Sequence, residues 1–197
     1  MRRSAAGALL VGLALLAACS REAAPDRAPP AELQPAPAFT LQDLMGHPVS
    51  LESFRGKTVL VDFWATWCPP CEFQVPVLNA FYEAHKAQGV VVLGVAVDAE
   101  GRAVVAPYAA RHKIRYPVLL GTEALARDYG APGFPALAVV APDGSLVTLK
   151  VGMKEEDELE KLVAEAQAGA STHARAEGRA APAAEATASA PSRTPGS

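Results

Sequence analysis

The feature that most constrains the fold is an apolar segment at residues 58–65 that leads directly into two closely spaced cysteines. The segment reads TVLVDFWA, and a near-continuous apolar run of this kind is typical of a strand buried on both faces of a sheet. It is followed at once by TWCPPC, in which two prolines separate Cys68 from Cys71. Because proline is tolerated in the first turn of a helix, a helix is predicted to begin at Pro69 and Pro70. The cysteines are therefore expected at a strand-to-helix junction.

The segments that follow alternate between predicted strands and helices. Residues 90–97 form a second apolar run, and between the two runs apolar side chains recur as they do on one face of a helix. Strands are predicted on both sides of the turn sequence Pro142-Asp143-Gly144, at 137–141 and 145–151. The remaining predicted elements are helices near 101–112, 123–129 and 154–167 and a strand at 117–120. This order predicts an α/β fold, with a sheet covered by helices on both faces.

The N-terminus has the pattern of a secretory signal peptide. A basic start at residues 1–3 precedes an apolar run at residues 5–18, which is too short to span a membrane comfortably. The run ends in LAAC, which resembles the lipobox of bacterial lipoproteins, so residues 1–18 are predicted to be removed and Cys19 to carry lipid. Such an anchor would hold the protein on the extracytoplasmic, periplasmic side of the cell membrane or on the outer membrane. The alternative is an ordinary secretory signal with a chance cysteine.

Composition divides the rest of the chain into three parts. Residues 19–37 are rich in Ala and Pro and are predicted to be a tether, whereas residues 168–197 carry almost no bulky apolar side chain and are predicted to be a disordered tail. Between them, residues 38–167 have the commonest size of a single domain. A formal net charge of −3 without a basic patch argues against a nucleic-acid partner, and we expect a monomer.

The spacing of Cys68 and Cys71 favours redox chemistry over a structural role. A disulfide would be permitted outside the cytoplasm, but one that closes so short a loop constrains the unfolded chain little. The N-terminal end of a helix lowers the pKa of a thiol, so Cys68 is predicted to be the nucleophile. Cys71, one turn inside the helix, is expected to be shielded and to act second. A zinc site would need a second Cys/His pair, so no metal is expected, and no cofactor besides the redox-active cysteine pair.

Three stretches of the sequence resemble a known fold. VDFWATWCPPC, the proline-containing helix after it and GFPALAVVAPDG are similar to the thioredoxin fold, which implies a central mixed sheet flanked by helices. The segment FTLQDLMGHPVSLESFRGK and the insert at 101–120 resemble, more narrowly, the TlpA/ResA group of membrane-tethered thiol–disulfide oxidoreductases. The resemblance covers residues 38–167. It implies reduction of disulfide-bearing extracytoplasmic proteins, apocytochrome c among them, with electrons from a membrane thiol donor.

The resemblance also implies roles for individual residues. Asp62 matches a buried carboxylate behind the second cysteine, where burial would raise its pKa and let it accept the proton of Cys71. The alternative is a strand-end aspartate that faces water. Phe134 and Pro135 match a cis-proline loop that faces the cysteines and meets the substrate. Trp67 is expected to shield Cys68 or to bind beside it.

Two positions depart from the pattern of the group. Gln74 stands where the group usually carries Glu, so the effect of that carboxylate on the thiols does not transfer to this chain. Ala136 stands where Thr usually follows the cis-proline, which leaves the hydrogen bonding of that loop open.

Other protein classes with a related fold give the competing hypotheses. A Sco-type copper carrier usually has three residues between its cysteines and a distal His ligand, unlike the CPPC sequence here. A peroxiredoxin-like antioxidant enzyme needs Pro and Thr seven and three residues before its reactive Cys, where this chain has Val61 and Ala65. An interaction module with an unreactive cysteine pair is a third alternative.

Overall fold

The computed structural model describes residues 33–180, with side chains described for residues 33–169. Its elements are seven strands and four α-helices, joined in places by short 3-10 turns. In chain order they are β1 (Thr40–Asp43), β2 (Pro48–Ser50), β3 (Thr58–Trp64), α1 (Pro69–His85), β4 (Val90–Ala96), α2 (Arg102–Arg111), β5 (Val118–Leu120), α3 (Glu123–Asp128), β6 (Ala136–Val140), β7 (Leu146–Val151) and α4 (Glu156–Ala180).

The strands form one mixed sheet in the order β2-β1-β5-β4-β3-β6-β7. Strand β3 lies inside it, parallel to β4 and antiparallel to β6, and all seven of its residues are buried. A strand with both faces covered has no need of alternating polar residues, which is why its sequence is almost entirely apolar. The predicted α/β fold with a mixed central sheet is confirmed.

Two apolar clusters cover the two faces of the sheet. On one face, α1 and α4 pack against the strands through residues such as Leu78, Phe81 and Leu159. On the other face, α2, α3 and the segment before β1 contribute Val105, Ala126 and Phe39, among others. Since side chains alternate along a strand, Leu60 of β3 belongs to the first cluster and its neighbours Val59 and Val61 belong to the second.

The segment ahead of β3 differs from the expectation in two ways. It forms two additional strands, because β1 pairs antiparallel with both β2 and β5. The predicted tether also ends earlier than residue 37. Ala36 donates from its N–H to Gly144 O (3.0 Å), and Gln34 O accepts from the N–H of Leu146 (2.8 Å). These bonds give the backbone groups of residues 34–36 partners on the β6–β7 hairpin, so this part is attached to the domain.

The last helix also extends beyond the predicted boundary. Helix α4 continues to Ala180, so residues 168–180, expected to be disordered, are helical. These residues include many alanines, and alanine has the highest helix propensity. Helix formation here does not require the bulky apolar side chains that the segment lacks. The predicted signal peptide, Cys19, residues 19–32 of the tether and residues 181–197 of the tail lie outside the described residues. None of the helices within 33–180 is long and apolar enough to cross a membrane.

Candidate active site

Cys68 and Cys71 lie where β3 gives way to α1 and are joined by a disulfide bond with an S–S distance of 2.10 Å. Cys68 is the residue that caps the N-terminus of α1, and Pro69 and Pro70 are its first two helical residues. Prolines have no N–H group, so their presence in the first turn leaves no unpaired donor there. The positive end of the helix dipole is thus directed at the Cys68 sulfur, and Cys71 lies within the first turn.

The exposure of the two cysteines differs from the expectation. Shielding was expected for Cys71, yet Cys68 is shielded as well, and the exposed fractions of Cys68 and Cys71 are 5% and 3%. Both cysteines belong to the apolar cluster that includes Phe63. The two cysteines are therefore distinguished by their positions relative to the helix end and not by exposure.

Asp62 is a carboxylate in the interior of the molecule. It is 3% exposed, and its neighbours across the sheet are Gly94 on β4 and Leu137 on β6, so the alternative of a water-facing aspartate is excluded. Asp62 follows Leu60 at a spacing of two and therefore faces the side that α1 covers. Within residues 33–169, its Oδ1 atom has no hydrogen-bond partner. Burial raises the pKa of Asp62 from 3.8 to about 7.

Two aromatic side chains enclose the space beside Asp62. A Cβ atom on Gly94 would lie 2.7 Å from Tyr116 Cε2 and 3.0 Å from Trp64 Nε1, so only glycine lets both rings come so close to the sheet. Burial raises the pKa of Tyr116, and the charge of Asp62 raises it further. The rings keep the carboxyl group away from bulk water, which is the cause of its raised pKa.

An exposed tryptophan and a loop with a cis-proline complete the site. The Phe134–Pro135 peptide bond is cis, and Pro135 O accepts a hydrogen bond from the N–H of Gly152 (2.8 Å). Trp67, just before Cys68, is 58% exposed and meets Phe134 edge to face, with 5.9 Å between the ring centroids. The structure therefore brings Trp67 and the Phe134–Pro135 loop together.

The insert helix α2 reaches the other side of the cysteines. Glu72, the residue after Cys71, has its Oε1 atom 3.7 Å from Nδ1 of His112 at the end of α2. The His112 ring is stacked on Tyr108 at 4.1 Å. Among the described residues, no group of three His, Cys, Asp or Glu side chains could bind a metal ion together.

Comparison with known families agrees with this geometry. The family model described as Redoxin matches residues 31–166, which is more than half of the chain. The chain belongs to the redoxin family. Within it, this redoxin is 32% identical to the thiol-disulfide oxidoreductase ResA of Geobacillus kaustophilus over 127 residues, which cover 64% of this chain and 72% of that protein. It is also 32% identical to ResA of Bacillus subtilis over 122 residues, 61% of this chain and 68% of that protein.

Solved structures support the same assignment. A thiol:disulfide interchange protein of the thioredoxin family from Chlorobium tepidum superimposes with a TM-score of 0.62 at 30% identity, covering 70% of this chain and 99% of that one. The thioredoxin domain of a thiol-disulfide oxidoreductase from Bacteroides vulgatus gives a TM-score of 0.61 at 31% identity, covering 68% and 99%. This redoxin is a thiol–disulfide oxidoreductase of the TlpA/ResA type, with the thioredoxin fold that its sequence implied.

Sequence reasoning missed two polar contacts of the site. Asp98 is 5% exposed and accepts hydrogen bonds from the Thr66 N–H (3.1 Å) and from the Thr66 hydroxyl (2.5 Å). Gln74, noted only as a departure, is buried and bonded to the backbone of Lys154. The sequence carried a signal for the first contact, because Asp98 directly follows the apolar run at residues 90–97. Nothing in the sequence pointed to the second.

Proposed function

We propose that this redoxin reduces disulfide bonds of extracytoplasmic proteins through Cys68 and Cys71. The observation that carries the proposal is a disulfide-bonded cysteine pair at the N-terminus of α1, which follows the strand that holds the buried Asp62. This combination gives one sulfur an electrostatic reason to ionise and the other a group that can receive its proton.

The reaction begins with the reduced protein. The Cys68 thiolate attacks one sulfur of the client disulfide; a Cys68–client bond forms, the client S–S bond breaks, and the other client sulfur leaves as a thiolate. Cys71 then loses its proton and attacks the Cys68 sulfur. The client leaves as a dithiol that has gained two electrons, and the Cys68–Cys71 disulfide is formed. A thiol donor in the membrane returns two electrons to the pair.

Asp62 is the proposed acceptor of the Cys71 proton. A carboxyl group with a pKa of about 7 exists in both protonation states near neutral pH, as a group must that takes up and releases a proton in each cycle. Phe134, Pro135 and Trp67 form the proposed surface against which the client chain lies. The contact between Trp67 and Phe134, and the position of Trp67 directly before Cys68 in the chain, support this role.

The direction of electron flow and the location rest on the sequence. Pro69 and Pro70 supply neither a charge nor an N–H donor to the thiolate, and a pair whose thiolate is not strongly stabilised acts as a reductant. Cys19 is the proposed lipid attachment site, after removal of residues 1–18. Residues 19–33 would then tether a monomeric domain on the periplasmic side of the membrane. The proposed clients are disulfide-bearing proteins of that space, with apocytochrome c as one candidate.

A trapping experiment tests the function and names the client. In Cys71→Ser, Cys68 can still attack but no second thiol releases the client, so covalent adducts should accumulate in the cell envelope. They would appear as bands that disappear under reducing agent, and mass spectrometry would identify them. A c-type cytochrome precursor would indicate cytochrome maturation, and a mixed set of secreted proteins would indicate general disulfide reduction.

The matched control is Cys68→Ser, which keeps the resolving cysteine and removes the proposed nucleophile. It should trap few adducts or none. Equal trapping by both variants would reverse the assignment of the two sulfurs. If neither variant trapped a client while the parent protein bound copper or turned over peroxide, the exchange mechanism would be replaced by one of those activities.

A further inference from the structure

Helix α1 carries a buried carboxamide one turn beyond the cysteines. Gln74 is 4% exposed; its Nε2 donates to Lys154 O (3.1 Å), and its Oε1 accepts from the N–H of Lys154 (2.6 Å). The Gln74 side chain thus pairs with both backbone polar groups of Lys154, which lies in the segment between β7 and α4. The contact joins positions that are 80 residues apart in the chain.

Lys154 extends this contact toward the Pro135 loop. Its Nζ donates to the carbonyl oxygens of Val151 (3.2 Å) and Met153 (2.9 Å), which closes residues 151–154 into a compact turn. Within that turn, Gly152 donates its N–H to Pro135 O (2.8 Å). Hydrogen bonds therefore run without a break from the cysteine-bearing helix, through Gln74 and Lys154, to the loop beside the cysteines.

The chemistry of this contact requires an amide. Gln74 offers one donor and one acceptor, which match the C=O and N–H of Lys154. An ionised carboxylate at the same position has two acceptors and no donor, so it would leave the Lys154 carbonyl facing another oxygen. A buried acceptor without a donor is costly, so Gln and Glu are not equivalent at this position.

We propose that Gln74 is a positioning residue which, through Lys154, fixes the Pro135 loop relative to Cys68 and thereby sets how well a protein client is presented for attack. The inference rests on the proposed exchange reaction at Cys68. A small disulfide needs only the Cys68 sulfur and does not use the loop. Loss of the Gln74 contact should consequently impair reaction with a protein disulfide and spare reaction with a small one.

The test compares two substrates in single-turnover reactions of the reduced full-length chain, with Cys19→Ser in every protein. Reduction of insulin and of oxidised glutathione is followed by intrinsic tryptophan fluorescence. Gln74→Ala should slow the insulin reaction about tenfold, the factor expected for losing one or two buried hydrogen bonds. The glutathione reaction should stay within about twofold of the parent, so the ratio of the two rates falls.

The same helix supplies a matched control. The half-buried Asn79 also makes two bonds to backbone groups, from Nδ2 to Lys113 O (2.9 Å) and from the Arg115 N–H to Oδ1 (2.7 Å), but to the segment before β5. Asn79→Ala removes a similar contact and should leave the ratio unchanged. Gln74→Glu adds a pH dependence, because its carboxyl group regains a hydrogen-bond donor when it is protonated. The ratio of its insulin rate to its glutathione rate should therefore recover toward the parent value as the pH is lowered.

Lys154→Met protects the test against a folding defect in the Gln74 variants. It keeps the backbone groups that Gln74 binds and loses the bonds to Val151 and Met153 together with the 3.9 Å ion pair to Glu158. It should also lower the ratio of the insulin rate to the glutathione rate. Equal slowing of both substrates in Gln74→Ala and Lys154→Met, or an unchanged ratio in both, would overturn the positioning role. A parent protein that reduced neither substrate would instead refute the exchange reaction itself.

Discussion

Two aspartates of this redoxin are almost equally buried but differ in their hydrogen bonding. Asp62 is 3% exposed and Asp98 is 5% exposed. Asp98 accepts hydrogen bonds from both donors of Thr66, the backbone N–H and the hydroxyl. Asp62 has an Oδ1 atom with no partner among the described residues, and a pKa of about 7. Burial alone therefore does not define the role of a carboxylate.

The difference separates structural from chemical use of the same side chain. The bonds to Asp98 hold Thr66, two residues before Cys68, and so fix the turn by which β3 reaches α1. A carboxylate that is satisfied in this way contributes to the fold. Within residues 33–169 the Oδ1 atom of Asp62 has no such bond, so desolvation opposes its charge and brings its pKa into the neutral range, which suits the proton transfer proposed for it.

The largest expected effect is on the stability of Asp62→Asn. The pKa of Asp62 is 3.8 in the unfolded chain and about 7 in the folded one, so the native state binds the proton more tightly. Wild-type stability should therefore fall as the pH rises from about 4 to 7 and stay reduced above 7, by on the order of 4 kcal/mol. The variant lacks this titration and should be more stable than the parent at pH ~8 by up to that amount. Urea unfolding of the oxidised proteins across this pH range measures it.

Asp62→Asn should also reduce insulin more slowly than the parent at the pH values at which it is the more stable protein. Without a carboxylate to accept the Cys71 proton, release of the mixed disulfide should slow at neutral pH, which insulin-reduction rates across pH would show. Equal unfolding free energies at pH ~8 would mean that the Asp62 charge is solvated in the native state. Unchanged rates at every pH would remove Asp62 from the mechanism.

An intermediate effect of the opposite sign is expected for Asp98→Ala. The substitution leaves the N–H and hydroxyl of Thr66 without their acceptor, and hydrogen bonds to a charged group contribute about 1.5 to 3 kcal/mol each. Thr66 is half-buried, so water replaces part of these bonds, and the free energy of unfolding should fall by about 2 to 4 kcal/mol. Urea unfolding tests this, with Thr66→Val as a control that loses only the hydroxyl bond and should lose less. A gain in stability would show that the Asp98 carboxylate destabilises the fold despite its hydrogen bonds.

The smallest effect is expected for an exposed aspartate. Asp157 pairs with Lys161 at 2.9 Å on the surface of α4, and its side chain is 70% exposed. Exposed pairs of this kind contribute little because water screens the charges. Asp157→Asn should leave both the unfolding midpoint and the insulin-reduction rate within experimental error of the parent. A clear loss of stability would show that an exposed aspartate of this protein can stabilise the fold as much as a buried one.

The parts of the fold that could be predicted were encoded locally. The apolar run at 58–65, the two prolines after Cys68 and the turn at residues 142–144 each determine their own conformation, and the structure follows them. Burial of Asp62 was predictable for the same reason, because every neighbour in its strand is apolar. Strands β1 and β2 were not predicted, since they are short and half exposed and depend on pairing with β5.

The contacts that escaped prediction join distant positions. Gln74 and Lys154 are 80 residues apart, and Thr66 and Asp98 are 32 apart. A single sequence shows that these residues are polar but not which partner the fold brings to each. What the sequence lacked in each case was the register of one element against another.

The point at which residues 34–36 join the domain lies at the opposite end of β3 from the cysteines. Residues 34–36 are attached at the β6–β7 hairpin, which lies beside the start of β3, since Val59 is paired with Val140. The cysteines follow the other end of that strand, seven residues and about 23 Å away at roughly 3.3 Å per residue. A partner that reaches the cysteines therefore approaches the end of β3 that is remote from the point where residues 34–36 join the domain.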